Sequence, residues 1–542
     1  MSAATLVLTG QVVVAIAADG VETAEAIGIG DGRVVAVGSR DEVMDASAPG
    51  ARLVAAGDAA IVPGIHDFHL HLVGMARARR TLAIDPAASF DTLVGQLRAA
   101  AAGVPAGTWL RGHGWSEATV RAGALAHLEE AVAERPTLLY SHDSHSAWAS
   151  AAARHMASLA AATEDPVGGR LERGADGAPN GLLRESATEL VEAVAERLRG
   201  PALDTALDEV LAELAGLGIT GATDAGDTSA DNGSGEHAAL GDRASLLVGA
   251  RARIDGRLRL TVNVPAAAIT AAAGAGMRTG VPLPGSDTVR AGWAKVYADG
   301  ALGSRTAAVF AAYTCGEAGN RGILRLSPDE LDAIVGAGRA AGIGLAVHAI
   351  GDRAVAATLD AMERHPARPG TPPDRIEHLQ LVRAADRSRM ADLGLTASLQ
   401  PIHGASDRDL ADACWADRLE DAYAWRQLAD AGIRLAFGSD APIETPNPWW
   451  GLYAAVHRRF PDADVADWHP EAALTPAAAL AAYTRAPALA IGRPDEGSLA
   501  VGAHADLALL NVDLETLLAG DERLAEVRSE LTLVGGHEVA RS

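Results

Sequence analysis

The sequence predicts an α/β fold: a (β/α)8 TIM barrel with a split β-sandwich domain from both termini and a large insertion after the first barrel strand. Three observations predict it. Strand-like runs and turns occupy both chain ends, eight strand-like runs alternate with helix-compatible stretches in between, and about 146 residues separate the first two of those eight.

Residues 1–62 hold short β-rich runs at Thr5–Leu8, Gln11–Ile16, Glu25–Ile29, Arg33–Gly38 and Ala51–Val54, with Gly-Asp-Gly at 30–32 as a hairpin signal. A similar pattern returns at Gly502–Asn511 and Leu531–Gly535. One β-sandwich domain assembled from 1–62 and 489–542 is therefore expected, around a barrel domain at 63–488. The barrel strands are expected at 61–71, 218–227, 257–264, 289–298, 343–350, 375–381, 395–401 and 434–441, with helices such as Asp329–Ala341 and Trp425–Ala431 between them. An open Rossmann-like sheet is second, weakened by the lack of Gly-x-Gly-x-x-Gly after an early strand. The gap far exceeds one crossover helix, so 72–217 must contain an inserted subdomain, placed over the catalytic end of the barrel. Thr228–Glu236 reads as a polar loop.

Composition narrows the function. A net charge of −24 over 542 residues argues against nucleic acid, since little here would neutralise phosphates. The first basic residue is Arg33 and the apolar run Leu6–Ala17 is too short to span a bilayer, so neither a secretory signal nor a membrane segment is expected. Cys315 and Cys414 lie far apart without metal-type spacing and read as free thiols of a reducing compartment, which makes a cytoplasmic protein the expectation.

Of 46 basic residues, 45 are arginine and one, Lys295, is lysine. A guanidinium stays charged, whereas a buried amine can lose its proton and react. Lys295 falls in the strand-like run Val289–Asp299. Pro63-Gly-Ile-His-Asp-Phe-His-Leu-His71 ends the first barrel strand, and alternation puts Asp67, His69 and His71 on one face, with His66 on the other. His348 and His378 end two further strands, and Asp440 follows the eighth, where it could also cap a helix. Jointly these strand ends are far more specific than any one of them.

As an ordered set these residues resemble the metal-dependent amidohydrolase superfamily, in its amidohydrolase family 3 (YtcJ-like) branch. The likeness continues through Trp109-Leu-Arg-Gly-His-Gly-Trp115, Asp143-Ser-His-Ser-Ala-Trp148, the run Lys295–Arg305, His348-Ala-Ile-Gly-Asp-Arg353, Glu377-His378, Gln400-Pro-Ile-His403 and Gly438-Ser-Asp440. Ser116 and Ala149 depart from the residues common in relatives. The resemblance implies that His69, His71 and Asp440 bind one divalent ion and His348 and His378 a second. It implies Lys295 as a candidate for carboxylation to a carbamate bridging both. Mixed imidazole and carboxylate ligands suit Zn2+, as one or two ions, with manganese, iron or cobalt as alternatives.

The implied reaction is hydrolysis of a C–N bond in an amide, N-formyl or N-acyl amine. A metal-acidified water attacks, Asp440 shuttles its proton to the leaving nitrogen, and His378 or a metal stabilises the oxyanion. A carbamate or ester hydrolase using the same site is the alternative, and a non-catalytic metal-binding regulatory protein the third. Trp115, His145, Trp148, Arg305, Gln400 and His403 are candidate substrate contacts. The tryptophans could equally pack the subdomain, and Arg305 could pair with Asp299 instead of a substrate carboxylate. Trp449-Trp450 either line the mouth or close the barrel. The expected partner is a small-molecule substrate, and a homodimer is compatible with the family.

Overall fold

Glycine and proline punctuation divides the first sixty residues into four strands. The computed structural model describes residues 3–542 except 19, 106, 123 and 227–234, so most of the expected 228–236 loop lies outside the described residues. The strands are β1 (Ala4–Ala17), β2 (Gly20–Gly30), β3 (Arg33–Gly38) and β4 (Ser47–Pro63). The expected runs Thr5–Leu8 and Gln11–Ile16 form one strand, β1, whose register against β2 shifts between Thr9 and Val12.

Chain leaves β4 through Gly64 straight into the first barrel strand, β5 (Ile65–Leu70). A Cβ on Gly64 would overlap the Thr220 side chain, so this close approach requires glycine. After β5 comes the insertion, with β6 (Leu82–Ala83), β7 (Leu110–Trp115), β8 (Thr137–Ser141), β9 (Ser146–Ala149), β10 (Gly169–Arg173) and β11 (Pro179–Glu185). They form one sheet in the order β10-β11-β9-β8-β7-β6. Its core includes Leu93, Leu97, Leu128, Leu139, Trp115 and Trp148.

The remaining barrel strands are β12 (Ile219–Asp224), β13 (Arg259–Pro265), β14 (Val289–Tyr297), β15 (Leu345–Ala349), β16 (Arg375–His378), β17 (Thr396–Leu399) and β18 (Arg434–Phe437). Each overlaps a segment expected from periodicity. All pairings are parallel, in the order β18-β17-β16-β15-β14-β13-β12-β5. At the mouth the ends meet: Asp440 N donates to His69 O at 2.6 Å and His71 N to Ala441 O at 2.8 Å. These bonds bring the acid after β18 beside His69 of β5 and His71 just beyond it. The expected helix Asp329–Ala341 is Pro328–Ala341, started by a Ser327–Glu330 capping box.

The last strands are β19 (Leu507–Asp513), β20 (Ser529–Val534) and β21 (His537–Arg541). Both chain ends meet in one seven-stranded sheet, β21-β20-β19-β4-β1-β2-β3, where β19 pairs with β4. Among the described residues, no helix is long and apolar enough to cross a membrane.

One expectation is corrected. Cys315 and Cys414 are not free thiols; they form a disulfide. The loop after β14 lies against the helix Arg408–Cys414, where Thr314 N donates to Cys414 O at 3.0 Å and Thr314 Oγ1 to Ala413 O at 2.7 Å. Separation along the chain carried no information about this approach. The cytoplasmic expectation loses the support it drew from free thiols.

Candidate active site

Four imidazoles gather at the C-terminal mouth of the barrel. Ring centroids lie 5.6 Å apart for His69 and His71, 4.9 Å for His69 and His378, and 4.5 Å for His378 and His348. Asp440 Oδ1 sits 3.4 Å from His69 Nε2 and 3.1 Å from His71 Nε2. Single donor atoms of His69, His378 and Asp440 all lie within 4.8 Å of one another. Lys295, near the end of β14, is buried and lines the same cavity. His378 and Asp440 both hold a left-handed backbone, at φ 72° and 61°. That costs about 1–3 kcal/mol for a residue with a side chain, and such strain gathers at functional sites.

Hydrogen bonds decide where each ring keeps its lone pair. His69 Nδ1 lies 2.6 Å from Glu377 Oε2, so its proton belongs there and Nε2 presents a lone pair toward Asp440. His348 Nε2 lies 3.1 Å from Gly300 O, which leaves Nδ1 unprotonated. His378 Nδ1 is buried with no hydrogen-bond partner. A carboxylate facing buried imidazole lone pairs is unfavourable unless a cation lies between them, and these donors fit a divalent ion. His71 differs: Arg243 Nη1 lies 2.6 Å from its Nδ1, which puts the ring proton on Nε2, facing Asp440.

Burial depresses the titration of His71 to about 3, and holds His348 and His378 well below the usual histidine range. Burial also lowers Lys295 to about 8, against the pull of Glu377 and Asp440. Burial would raise Asp440, but the carboxyl is held well below its usual range, with the hydrogen bond from His403 among the contacts that oppose burial. Glu377 is likewise held low: burial opposes ionisation, and Arg375 and His69 overcome it.

Around the six convergent residues stands a supporting shell. Asp67 Oδ1 accepts from His69 N at 3.1 Å and Ser439 N at 3.0 Å. His66, on the opposite face as parity requires, lies 3.2 Å from Thr223 Oγ1. His403, on the helix Pro401–Ser406, stands between Asp440 Oδ2 at 3.1 Å and Glu444 Oε1 at 3.6 Å. Burial opposes its charge, but the two carboxylates raise it to about 10. Asp299 accepts from the backbone N–H groups of Ala308, Ile350 and Gly351 at 2.8, 3.0 and 2.8 Å, tying the loop after β14 to the end of β15.

The mouth opens into a cavity of about 1170 Å³, lined by His69, His71, Lys295, His348, His378 and Asp440. His145 and His403 also line it. Four other expected substrate contacts do not. Trp115 and Trp148 are buried in the insertion core, with Trp115 Nε1 donating to Leu139 O at 2.9 Å. Gln400 is buried, its Nε2 3.4 Å from Ser398 O. Arg305 lines a separate cavity of about 130 Å³ with Arg170 and Arg184. Trp449 and Trp450 donate to Leu217 O and Ala525 O at 3.2 and 3.3 Å, away from the cavity.

Sequence reasoning gave no role to Glu377, Glu185, Arg243 or Glu444. Strand parity puts Glu377 on the face opposite His378, and the left-handed backbone at His378 defeats that rule. The other three carry no local pattern that marks them.

Comparison with known proteins agrees with this geometry. The model of the family described as "Amidohydrolase family" matches residues 52–540. The chain is 29% identical over 531 residues to the putative amidohydrolase YtcJ of Bacillus subtilis (strain 168), covering 95% of this chain and 96% of that protein. It is 28% identical over 530 residues to the N-substituted formamide deformylase of Arthrobacter pascens, covering 93% of each. A crystal structure of an uncharacterized metal-dependent hydrolase from Pyrococcus horikoshii OT3 superposes with a TM-score of 0.73 at 22% identity, covering 95% of this chain and 98% of that one, a likeness of fold.

Proposed function

The chain belongs to the amidohydrolase family, and from that premise we propose that it is a metal-dependent hydrolase of a C–N bond in an amide, N-formyl or N-acyl amine. The observation that carries the proposal is the convergence of single donor atoms of His69, His378 and Asp440 within 4.8 Å of one another, in a cavity that His71, His348 and the buried amine of Lys295 also line. The similar protein named N-substituted formamide deformylase supports the choice of bond.

His69, His71 and Asp440 would hold one ion, and His348 and His378 a second; zinc suits this donor set. For Nε2 to serve as a ligand, the His71 ring proton would move to Nδ1 and Arg243 Nη1 would turn away from that nitrogen. A bound divalent ion supplies Lewis acidity and a water acidified toward neutral pH. Lys295 is the group for carboxylation: its neutral amine adds CO2 and releases one proton, leaving a carbamate that arginine could not form. His403 anchors Asp440 Oδ2, which leaves Oδ1 turned to the histidines and ready to accept the proton of the attacking water. The insertion roofs the mouth with side chains such as Tyr140, His142 and His145 and so restricts water around the reacting bond.

Metal analysis combined with a hydrolysis screen over N-formyl amines, N-acyl amines, carbamates and esters tests the proposal. Metal-dependent turnover of the C–N compounds is expected. Metal retention with turnover of esters alone, or of nothing, would overturn it.

A further inference from the structure

We propose that Glu444 is a positioning residue: held by Ser406 of the barrel and His142 of the insertion, it fixes His403 and, through that ring, the orientation of Asp440. The role deepens the C–N hydrolase reading and rests on it.

A carboxylate that faces the histidines through one oxygen can still swing about its own side-chain bonds. Asp440 is restrained at the other oxygen. His403 Nε2 lies 3.1 Å from its Oδ2, while Oδ1 stays 3.4 Å from His69 Nε2 and 3.1 Å from His71 Nε2. An imidazole held at one nitrogen can turn about that contact, so the ring needs a second hold. Glu444, just beyond Asp440 in the loop after β18, provides it: Oε1 lies 3.6 Å from His403 Nδ1. One loop thus carries both carboxylates that bracket the ring.

Glu444 is itself held on two sides. Its Oε1 accepts from the Ser406 hydroxyl, on the helix Pro401–Ser406 that also carries His403. From the insertion, His142 Nε2 lies 3.3 Å from the same oxygen. His142 belongs to the turn between β8 and β9, and its backbone N donates to Trp115 O at 2.9 Å, which ties that turn to β7. The side chains of Glu444 and His403 are 8% and 11% exposed, so little water competes for these contacts. Burial would raise the Glu444 carboxyl, but its contacts with His142 and His403 hold it below the usual range, and it stays an acceptor.

The contacts His142–Glu444, Glu444–His403 and His403–Asp440, at 3.3, 3.6 and 3.1 Å, form one chain from the insertion to the acid. Docking of the roof is thereby tied to the aim of the group that moves the proton. Asp440 remains the proton acceptor and donor, and Glu444 transfers none. A small misplacement of a reacting group costs rate out of proportion to the stability it costs.

A double-mutant cycle tests the role. Glu444→Ala, Glu444→Gln, His403→Phe and the Glu444→Ala, His403→Phe pair are loaded with Zn2+, assayed for bound metal and compared with wild type on an N-formyl alkylamine. Glu444→Ala should lower kcat roughly 10–100-fold with KM little changed, and Glu444→Gln, which keeps the side chain's volume, should lose less. In the His403→Phe background Glu444→Ala should cost less than about threefold more, because the ring it orients is gone. Losses that multiply, no loss in either single Glu444 variant, or loss that tracks metal content overturns the role and leaves the hydrolase reading standing. Hydrogen exchange of the metal-free protein reads the clamp without turnover. Glu444→Ala and His142→Ala should each speed exchange across residues 142–146, and unchanged exchange there in both overturns the proposal. Wild-type inactivity on every C–N compound overturns the hydrolase reading, and this role with it.

Discussion

His69 Nδ1 and Glu377 Oε2 lie 2.6 Å apart at the closed end of the site, and Arg375 grips the same carboxylate through Nε at 2.6 Å and Nη2 at 3.0 Å. All three side chains are essentially inaccessible to water, and Arg375 also stacks 3.8 Å over Phe68. The carboxylate fixes the His69 tautomer, and the guanidinium keeps the carboxylate ionised. Glu377→Gln should weaken metal binding roughly 10–100-fold. It should also cost about 3–5 kcal/mol of stability, because Arg375 loses its buried counter-charge. Metal titration and urea unfolding of the variant check both, and an unchanged metal affinity would remove Glu377 from the site.

Lys295 is tested by size and by chemistry. Lys295→Ala deletes the amine, and Lys295→Arg places a larger, permanently charged group in a buried position. Both variants should lose metal by more than the ~10–100-fold expected from an outer partner, together with turnover. Wild-type metal content and rate in both would remove the lysine from the mechanism.

Asp440→Asn separates binding from proton transfer. Loss of the acceptor should lower kcat roughly 10²–10⁴-fold, a larger effect than on metal content. The comparison needs metal stoichiometry and steady-state rates on the same preparation. Parallel losses of metal and rate would show that Asp440 acts only as a ligand.

The Cys315–Cys414 disulfide spans 99 residues, a long loop whose closure restricts the unfolded chain. Its reduction should lower stability by about 2–5 kcal/mol. Thermal unfolding with and without reductant measures this. A Cys315→Ser, Cys414→Ser double variant should start lower and ignore reductant, and equal Tm values for the oxidised and reduced wild type would contradict the prediction.

Glu496 lends the protein a pH dependence away from the catalytic site. Burial raises it from 4.5 to about 7, although Arg493 lies 3.3 Å and Arg259 3.9 Å away. The folded state therefore keeps a proton that the unfolded chain releases above 4.5. That contribution to stability is complete below 4.5 and lost as pH rises through about 7. Glu496→Gln mimics the protonated form, so its Tm should change less than that of the wild type across this window. Identical profiles for the two would refute the assignment.

Much of the fold was legible in the chain because its signals are local. Alternation within each barrel strand, helix-compatible stretches between them and the abnormal gap after the first placed the eight strands and the insertion. Strand-end position likewise singled out His69, His71, Lys295, His348, His378 and Asp440, which the structure brings to one mouth. Local signals failed where distant segments meet. Glu377 reaches His69 across 308 positions, Glu185 reaches His145 across 40, and Cys315 finds Cys414 across 99. The tryptophans of the insertion look alike as pocket walls or as core, and packing alone put Trp115 and Trp148 inside. Side-chain periodicity is set by the backbone of a single strand. Which residues face each other follows from barrel closure, the docking of the insertion, and the left-handed turns at His378 and Asp440, all properties of the assembled chain.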